Sequence, residues 1–256
     1  MSNTSQPTLQ CQGLTKTFSS TDPPTRVLNG IDLTVQNGEF LVVMGASGSG
    51  KSTLLYCISG MDRPTSGTIT LQGRDLTALN DTEMSRVRLT QMGFIFQQSY
   101  FLQNLNIRDN ILLPALKAAP DATNAAVDRV DTLMKRFGIA EVNHHGMTEV
   151  SGGQLQRASI SRALASEPDV LFADEPTGAL NSSMSTEVMD ALSDVHASGT
   201  TLVMVTHDPA CATRGDRVIY LRDGHLVDSR SMGTWTKTAD SVRKDDLLSW
   251  LHELGF

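Results

Sequence analysis

The run Gly45-Ala-Ser-Gly-Ser-Gly-Lys-Ser-Thr53 follows five apolar residues, Phe40 to Met44, and leads into a helical pattern. Glycines at 45, 48 and 50 let successive backbone N–H groups turn inward, and the helix behind them adds the positive end of its dipole. The spacing G-x-x-x-x-G-K-[ST] between a strand and a helix is that of a polyphosphate cradle. In such a loop Gly45, Ala46, Ser47, Gly48, Ser49, Gly50, Lys51, Ser52 and Thr53 wrap the phosphates. Lys51 reaches the β and γ phosphates, and Ser52 offers its hydroxyl to Mg²⁺. The loop alone does not say which nucleotide binds or what its energy is used for.

The rest of the chain agrees with an α/β reading. Strand-like runs lie at 31–35, 40–44, 68–71, 93–96, 170–173, 201–206 and 217–221, alternating with helical stretches. "IDLTV" alternates polar and apolar residues like a half-buried antiparallel strand. "VLFA" and "LVMV" are apolar throughout, like parallel strands covered on both faces. A mixed sheet follows. Between about 98 and 150 no strand is evident; "ATNAAVDRVDTLMKRFG" puts Ala126, Val130, Leu133, Met134 and Phe137 on one helical stripe that Gly138 ends. The expected organisation is one domain over 1–256: a core at about 1–97 and 151–232, a helical subdomain at about 98–150, and a helical tail at 233–256. In the tail, Leu247, Leu248, Leu251 and Leu254 share a face.

Charge narrows the partners. The formal charge of -7 argues against a surface that grips nucleic acid by bulk electrostatics. Cys11, Cys57 and Cys211 are far apart, with neither a disulfide framework nor a zinc spacing, which fits a reducing cytosol. The start lacks the profile of a signal peptide, and no apolar run approaches the roughly 18 residues of a membrane span.

Two further motifs carry chemistry. "LFADEPTGALN" ends an apolar run on Asp174 and Glu175. Successive strand side chains leave on opposite faces, so the two acids share a task only if the backbone turns between them. Ligands in parallel sheets sit beyond the carboxyl ends of strands, where Asp174 and the Gly45 loop both emerge. Asp174 then suits the Mg²⁺ shell and Glu175 suits polarising an attacking water. "VSGGQLQRASISRALA" opens on Ser151, Gly152, Gly153 and Gln154 before a helix that places Leu155, Ala158, Ile160 and Leu164 largely on one side. Ser151 is a natural N-cap, and the turn offers a second anion site; taken alone, plain helix capping is the better explanation, because caps are everywhere.

The Gly45 loop, SGGQLQR, LFADEP and VMVTHD, in that order, resemble the nucleotide-binding subunit of an ABC transporter over nearly the whole chain, Leu9 to about Asp228. The resemblance implies the P-loop NTPase fold of ABC ATPases, with an inserted helical subdomain and a small antiparallel β part. It also implies ATP and Mg²⁺ as ligands. By it Gln97 touches Mg²⁺ and senses the membrane partner, His207 contacts the γ-phosphate, and Phe18 stands where an aromatic stacks on adenine. Asn181 occupies the place of the D-loop aspartate, which serves communication between subunits. Such ATPases close as head-to-tail homodimers, so the Ser151 turn would bind the nucleotide held by the other subunit.

"SGMDRPTSGTITLQGRDL", "RLTQMGFIFQQSYFLQNLNIRDNILLPAL" and "FADEPTGALNS" are similar to the branch of lipoprotein-release, macrolide-export, cell-division and bacitracin-resistance ATPases. That branch implies an integral-membrane permease with an FtsX-like domain and a cytoplasmic place on the inner face of the membrane. Its roles include antimicrobial-peptide resistance, export and lipoprotein release. "QSYFLQNL" would then help receive the permease, or Tyr100, Phe101 and Leu102 close the subdomain's own core. The alternative function is a stand-alone or regulatory nucleotide-binding protein without transport; the acidic balance disfavours a stand-alone nucleic-acid machine, and Lys51, Asp174, Glu175 and His207 together disfavour a regulatory module that has lost hydrolysis.

Overall fold

The computed structural model describes residues 6–19, 22–236 and 240–256. In chain order the strands are β1 (Leu9–Phe18), β2 (Thr25–Val35), β3 (Phe40–Met44), β4 (Ser66–Leu71), β5 (Arg74–Asp75), β6 (Met92–Ile95), β7 (Val170–Asp174), β8 (Thr201–Val205), β9 (Arg217–Arg222) and β10 (His225–Ser231). The helices are α1 (Lys51–Ile58), α2 (Asp81–Gln91), α3 (Ile107–Ala118), α4 (Thr123–Arg136), α5 (Gly152–Leu164), α6 (Ser182–Ala197), α7 (Pro209–Ala212) and α8 (Asp240–Glu253). Two compact units result, residues 1–80 with 201–256, and residues 81–200.

In the first unit β2, β1, β4 and β5 form an antiparallel sheet in that order. Beside it, β3 runs parallel to β8 and β9, with Val42 opposite Met204 and Val218, and β10 returns antiparallel to β9. Every residue of β3 and β8 is buried, the signature of strands covered on both faces. β1 escapes the sequence pattern because its alternation is interrupted. Leu9, Cys11 and Leu14 are buried, but the register with β2 shifts between Cys11 and Leu14, so the inward residues do not keep a period of two.

α8 covers this unit with Leu247, Trp250 and Leu251; Leu248 and Leu254 are only half-buried. Trp250 takes the place in the core that the leucine pattern assigned to them. Its indole N–H has a partner, donating to Asp228 Oδ2 at 2.8 Å, which is what lets the ring be buried.

In the second unit β6 and β7 pair in parallel, Phe94 opposite Phe172. α4 buries Ala126, Val130, Leu133 and Met134, with Phe137 at its cap, and ends where Gly138 turns to φ 61. α2 carries two buried apolar residues, Met84 and Val87, which is why it has little sequence signal. α5 differs from its expected face: Gln156, Ala158, Ser159, Ile160, Ser161 and Ala163 are buried, while Leu155 and Leu164 are half-exposed. Small residues let α5 press against β6. A Cβ on Gly93 would lie 2.4 Å from Ala163 O, so only glycine permits that approach.

Candidate nucleotide site

The phosphate loop leaves the buried end of β3 and enters α1 at Lys51. Its shape is enforced by tertiary neighbours. Gly45 has φ 154, and a Cβ there would stand 2.1 Å from Leu221 O, so the β9 backbone admits only glycine. Ser49 O accepts from Gly224 N at 3.1 Å, and Gly224 O in turn accepts from Asn29 N at 2.9 Å, so the β9–β10 turn braces the loop. α1 has no side-chain cap; Gly50, at φ 101, occupies the N-cap.

Lys51 is buried, and its ammonium donates to Gly45 O at 2.8 Å and Ala46 O at 3.0 Å. The charge is thus held inside the loop by the loop's own carbonyls. Ser49 Oγ is buried with no hydrogen-bond partner among the described residues. Ser52 and Thr53 fill the second and third positions of α1, and Ala46, Ser47 and Gly48 form the outward bend.

Phe18 ends β1 and is 37% exposed, so it is not a core aromatic. Lys16 Nζ lies 4.9 Å from the ring centroid and is itself paired with Asp62 at 2.6 Å. His207 follows β8, exposed, with buried Thr206 before it and Asp208 capping α7 after it.

In the second unit Asp174 is the last residue of β7 and is 8% exposed. Glu175 has φ 46, the left-handed conformation that non-glycine residues rarely adopt. The backbone therefore turns between the two acids, and Glu175 O closes the turn by accepting from Gly178 N at 3.0 Å. Gln97 reaches the same turn: a Cβ on Gly178 would be 2.9 Å from its Nε2. Asn181 caps α6, its Oδ1 accepting from Met184 N at 3.0 Å.

Ser151 begins α5 with a complete capping box. Gln154 N donates to Ser151 Oγ at 3.2 Å, and Ser151 N donates to Gln154 Oε1 at 2.8 Å. The Ser151 hydroxyl retains its own proton for donation to an anion. Gly152 and Gly153 form the first turn, with Gly153 close over Met184.

One residue of this unit carries no sequence signal for its role. Arg162, near the end of α5, donates to Ser99 O at 2.6 Å and Tyr100 O at 3.2 Å and lies 4.3 Å from the Phe101 ring centroid. Burial pushes its guanidinium down to about 10. Asn110 holds the same segment from α3, its side chain accepting from Leu102 N and donating to the carbonyls of Leu102, Leu105 and Asn106. Phe101 is buried under Arg162, while Tyr100 and Leu102 are 69% and 49% exposed.

A strand-launched phosphate loop in one unit and a serine-capped glycine turn with an acid pair in the other define a P-loop nucleotide-binding protein. Residues 28–178 match the sequence model of the family described as ABC transporter. The chain is 41% identical over 224 residues to the macrolide export ATP-binding/permease protein MacB 2 of Aeromonas hydrophila, covering 88% of this chain and 34% of that one. It is 39% identical over 223 residues to the ABC transporter ATP-binding protein YknY of Bacillus subtilis, whose function is uncharacterised, covering 87% of this chain and 96% of that one. Among solved structures it resembles the dimeric ATP-binding cassette MJ0796 in a post-hydrolysis state bound to ADP and Pi. The TM-score is 0.82 at 33% identity, covering 89% of this chain and all of that one.

The chain belongs to the ABC transporter family as an ABC ATPase cassette, of a type shared with MacB-named relatives. It spans about a third of the length of those macrolide exporters. Among the described residues no helix is long and apolar enough to cross a membrane.

Proposed function

We propose that the chain binds ATP with Mg²⁺, pairs head to tail with a second copy on the nucleotide, and hydrolyses it to drive a membrane permease. The turn at Glu175 supports this most strongly. It breaks the strand rule that would send adjacent acids to opposite faces, so that buried Asp174, suited to a metal, and Glu175, suited to a water, can serve one reaction.

Each group then has a task. Lys51 exchanges the carbonyls of Gly45 and Ala46 for the β and γ phosphates, and a phosphate oxygen gives the orphaned Ser49 hydroxyl its acceptor. Phe18, exposed at the end of β1, offers its face to adenine. Hydroxyl, carboxylate and amide oxygens from Ser52, Asp174 and Gln97 are the hard donors that Mg²⁺ takes, and few protein ligands are needed because phosphates and water complete its shell. When bound, the metal neutralises phosphate charge. Glu175 orients the attacking water and accepts its proton, and His207 holds the γ-phosphate. The second copy adds the Ser151 hydroxyl and the N-terminus of α5 to the same phosphate.

Exposed Tyr100 and Leu102, on a segment that Arg162 and Asn110 hold rigid, suit receipt of an apolar permease helix. The branch likeness supports an FtsX-like permease and a peripheral place on the cytoplasmic face of the membrane, with peptide resistance, export or lipoprotein release as the proposed use. The proposed organisation is one ABC ATPase domain over 1–256, with 98–150 as its helical subdomain and 98–105 as the segment that receives the permease.

Size-exclusion chromatography of Glu175→Gln with ATP and Mg²⁺ tests the reading. A dimer that forms with ATP and persists is expected; a variant that hydrolyses ATP like wild type would mean that Glu175 is not the base.

A further inference from the structure

His207 is joined to β9 by only nine residues, 208–216, and α7 within them is four residues long. A single helical turn cannot hold itself, because nucleation fixes several dihedrals for one hydrogen bond. Its direction is therefore set by whatever grips its two ends. The upstream grip is local: Thr206 N donates to Val43 O at 3.2 Å, Asp208 N to Thr206 Oγ1 at 3.0 Å, and Ala210 N to Asp208 Oδ1 at 2.8 Å.

The downstream grip comes from the far end of the chain. Arg243 of α8 donates through Nε to Thr213 O at 3.0 Å and through Nη2 to Gly215 O at 2.8 Å. Its Nη1 donates to Met232 O and Gly233 O. One guanidinium thus ties the end of α7 to the chain leaving β10, and its fork of donors suits several carbonyls at once. Trp235 adds to the grip, its ring centroid 3.8 Å from the Arg214 guanidinium carbon, and Asp216 O accepts from Met232 N at 2.7 Å. α8 is itself anchored by buried Leu247, Trp250 and Leu251 and by the Arg230–Asp246 pair. It lies outside residues 28–178 that match the family.

We propose that Arg243 of α8, with Trp235 ahead of that helix, forms a positioning clamp for the His207 segment, so that the rate of hydrolysis depends on it while nucleotide affinity does not. The clamp rests on the reading of His207 as a γ-phosphate contact. Arg243 and Trp235 are positioning residues: they reach the carbonyls of 213–215 and the side chain of Arg214, not the nucleotide.

The test uses the full chain with Arg243→Ala, Arg243→Lys, Trp235→Ala and His207→Ala. ATP affinity is measured by equilibrium dialysis with Mg²⁺, kcat by phosphate release, and folding by thermal melting. Arg243→Ala should lower kcat about 10-fold, a modest share of what a misplaced group can cost, with affinity changed less than about 2-fold. Arg243→Lys should recover part of the rate, since an ammonium reaches fewer of the carbonyls. Wild-type kcat in Arg243→Ala beside a slow His207→Ala would overturn the clamp and leave His207 in its role. Wild-type kcat in both would overturn the His207 reading and the clamp with it. Loss of affinity in step with kcat would make Arg243 a general fold anchor and also overturn the clamp. If Arg243→Ala does not melt cooperatively, the same split in Trp235→Ala decides.

Discussion

Two helices open on glycine turns, and they open differently. α1 begins from Gly50 at φ 101 with no side-chain cap, while α5 begins from Ser151 with both halves of a capping box made. The first turn of α1 is thus left without a cap, behind a loop whose lysine is already gathered inside it. The first turn of α5 has satisfied one of its N–H groups within its own chain. On the proposed function the first turn would hold phosphate by itself, and the second would add a hydroxyl proton and a dipole to a phosphate held by another copy. This asymmetry suits the proposed sharing of a nucleotide between two chains.

Glu175→Gln should break the pair most visibly. Loss of the base lowers turnover by about 10²- to 10⁴-fold, while both turns keep their grip, so ATP binding persists by equilibrium dialysis. Gly45→Ala attacks the first turn alone. Its Cβ, 2.1 Å from Leu221 O, forces the loop to shift. At about 1–3 kcal/mol of overpacking, ATP affinity falls about 10- to 100-fold; an unchanged titration would show that the brace from β9 does not shape the loop.

Ser151→Ala attacks the second turn alone. The lost cap costs about 1 kcal/mol in urea unfolding, ATP affinity of the single chain stays at wild type, and turnover and dimer formation fall. A matching loss of single-chain affinity would contradict the division of labour. Asn181→Asp should have a smaller effect still, since either residue caps α6 and stability moves by no more than about 1 kcal/mol. Rate and cooperativity are expected to change through the added charge; if neither does, the amide is a neutral replacement.

The last contrast, silent at neutral pH, separates the two units through their thiols, all of which lie in the first. Burial pushes Cys11 and Cys57 up to about 12 from 9.0. A folded pKa above the unfolded one gives a contribution that is complete below pH 9 and is lost as pH rises towards about 12. Urea unfolding followed from pH 8 to 11 should show that decline, and Cys57→Ala should flatten it.

Much of the site was legible because its motifs are local. The β3 run, the Gly45 loop, the β7 run with its acids, and the Ser151 turn are each a strand end or helix start with its own residue chemistry. The stripe from Ala126 to Phe137 was legible for the same reason, since a helical period needs no partner to be seen. β1 was not, because the register shift after Cys11 breaks its alternation. The buried face of α5 departs from its sequence period, because close approach through Gly93 rewards small and polar residues over the leucines that periodicity favours.

By itself, then, the sequence determined which chemical groups this cassette carries and in what order, since phosphate cradle, acid pair and capped glycine turn are properties of short segments. Tertiary structure alone decided how those groups are held. Leu221 and Gly224 shape a loop that begins at Gly45, Arg162 of α5 fixes a segment near Ser99, and Arg243 of α8 grips the residues that follow His207. Each of those contacts joins residues distant along the chain, and no local period or propensity records a hydrogen bond that forms only after the chain has folded back on itself.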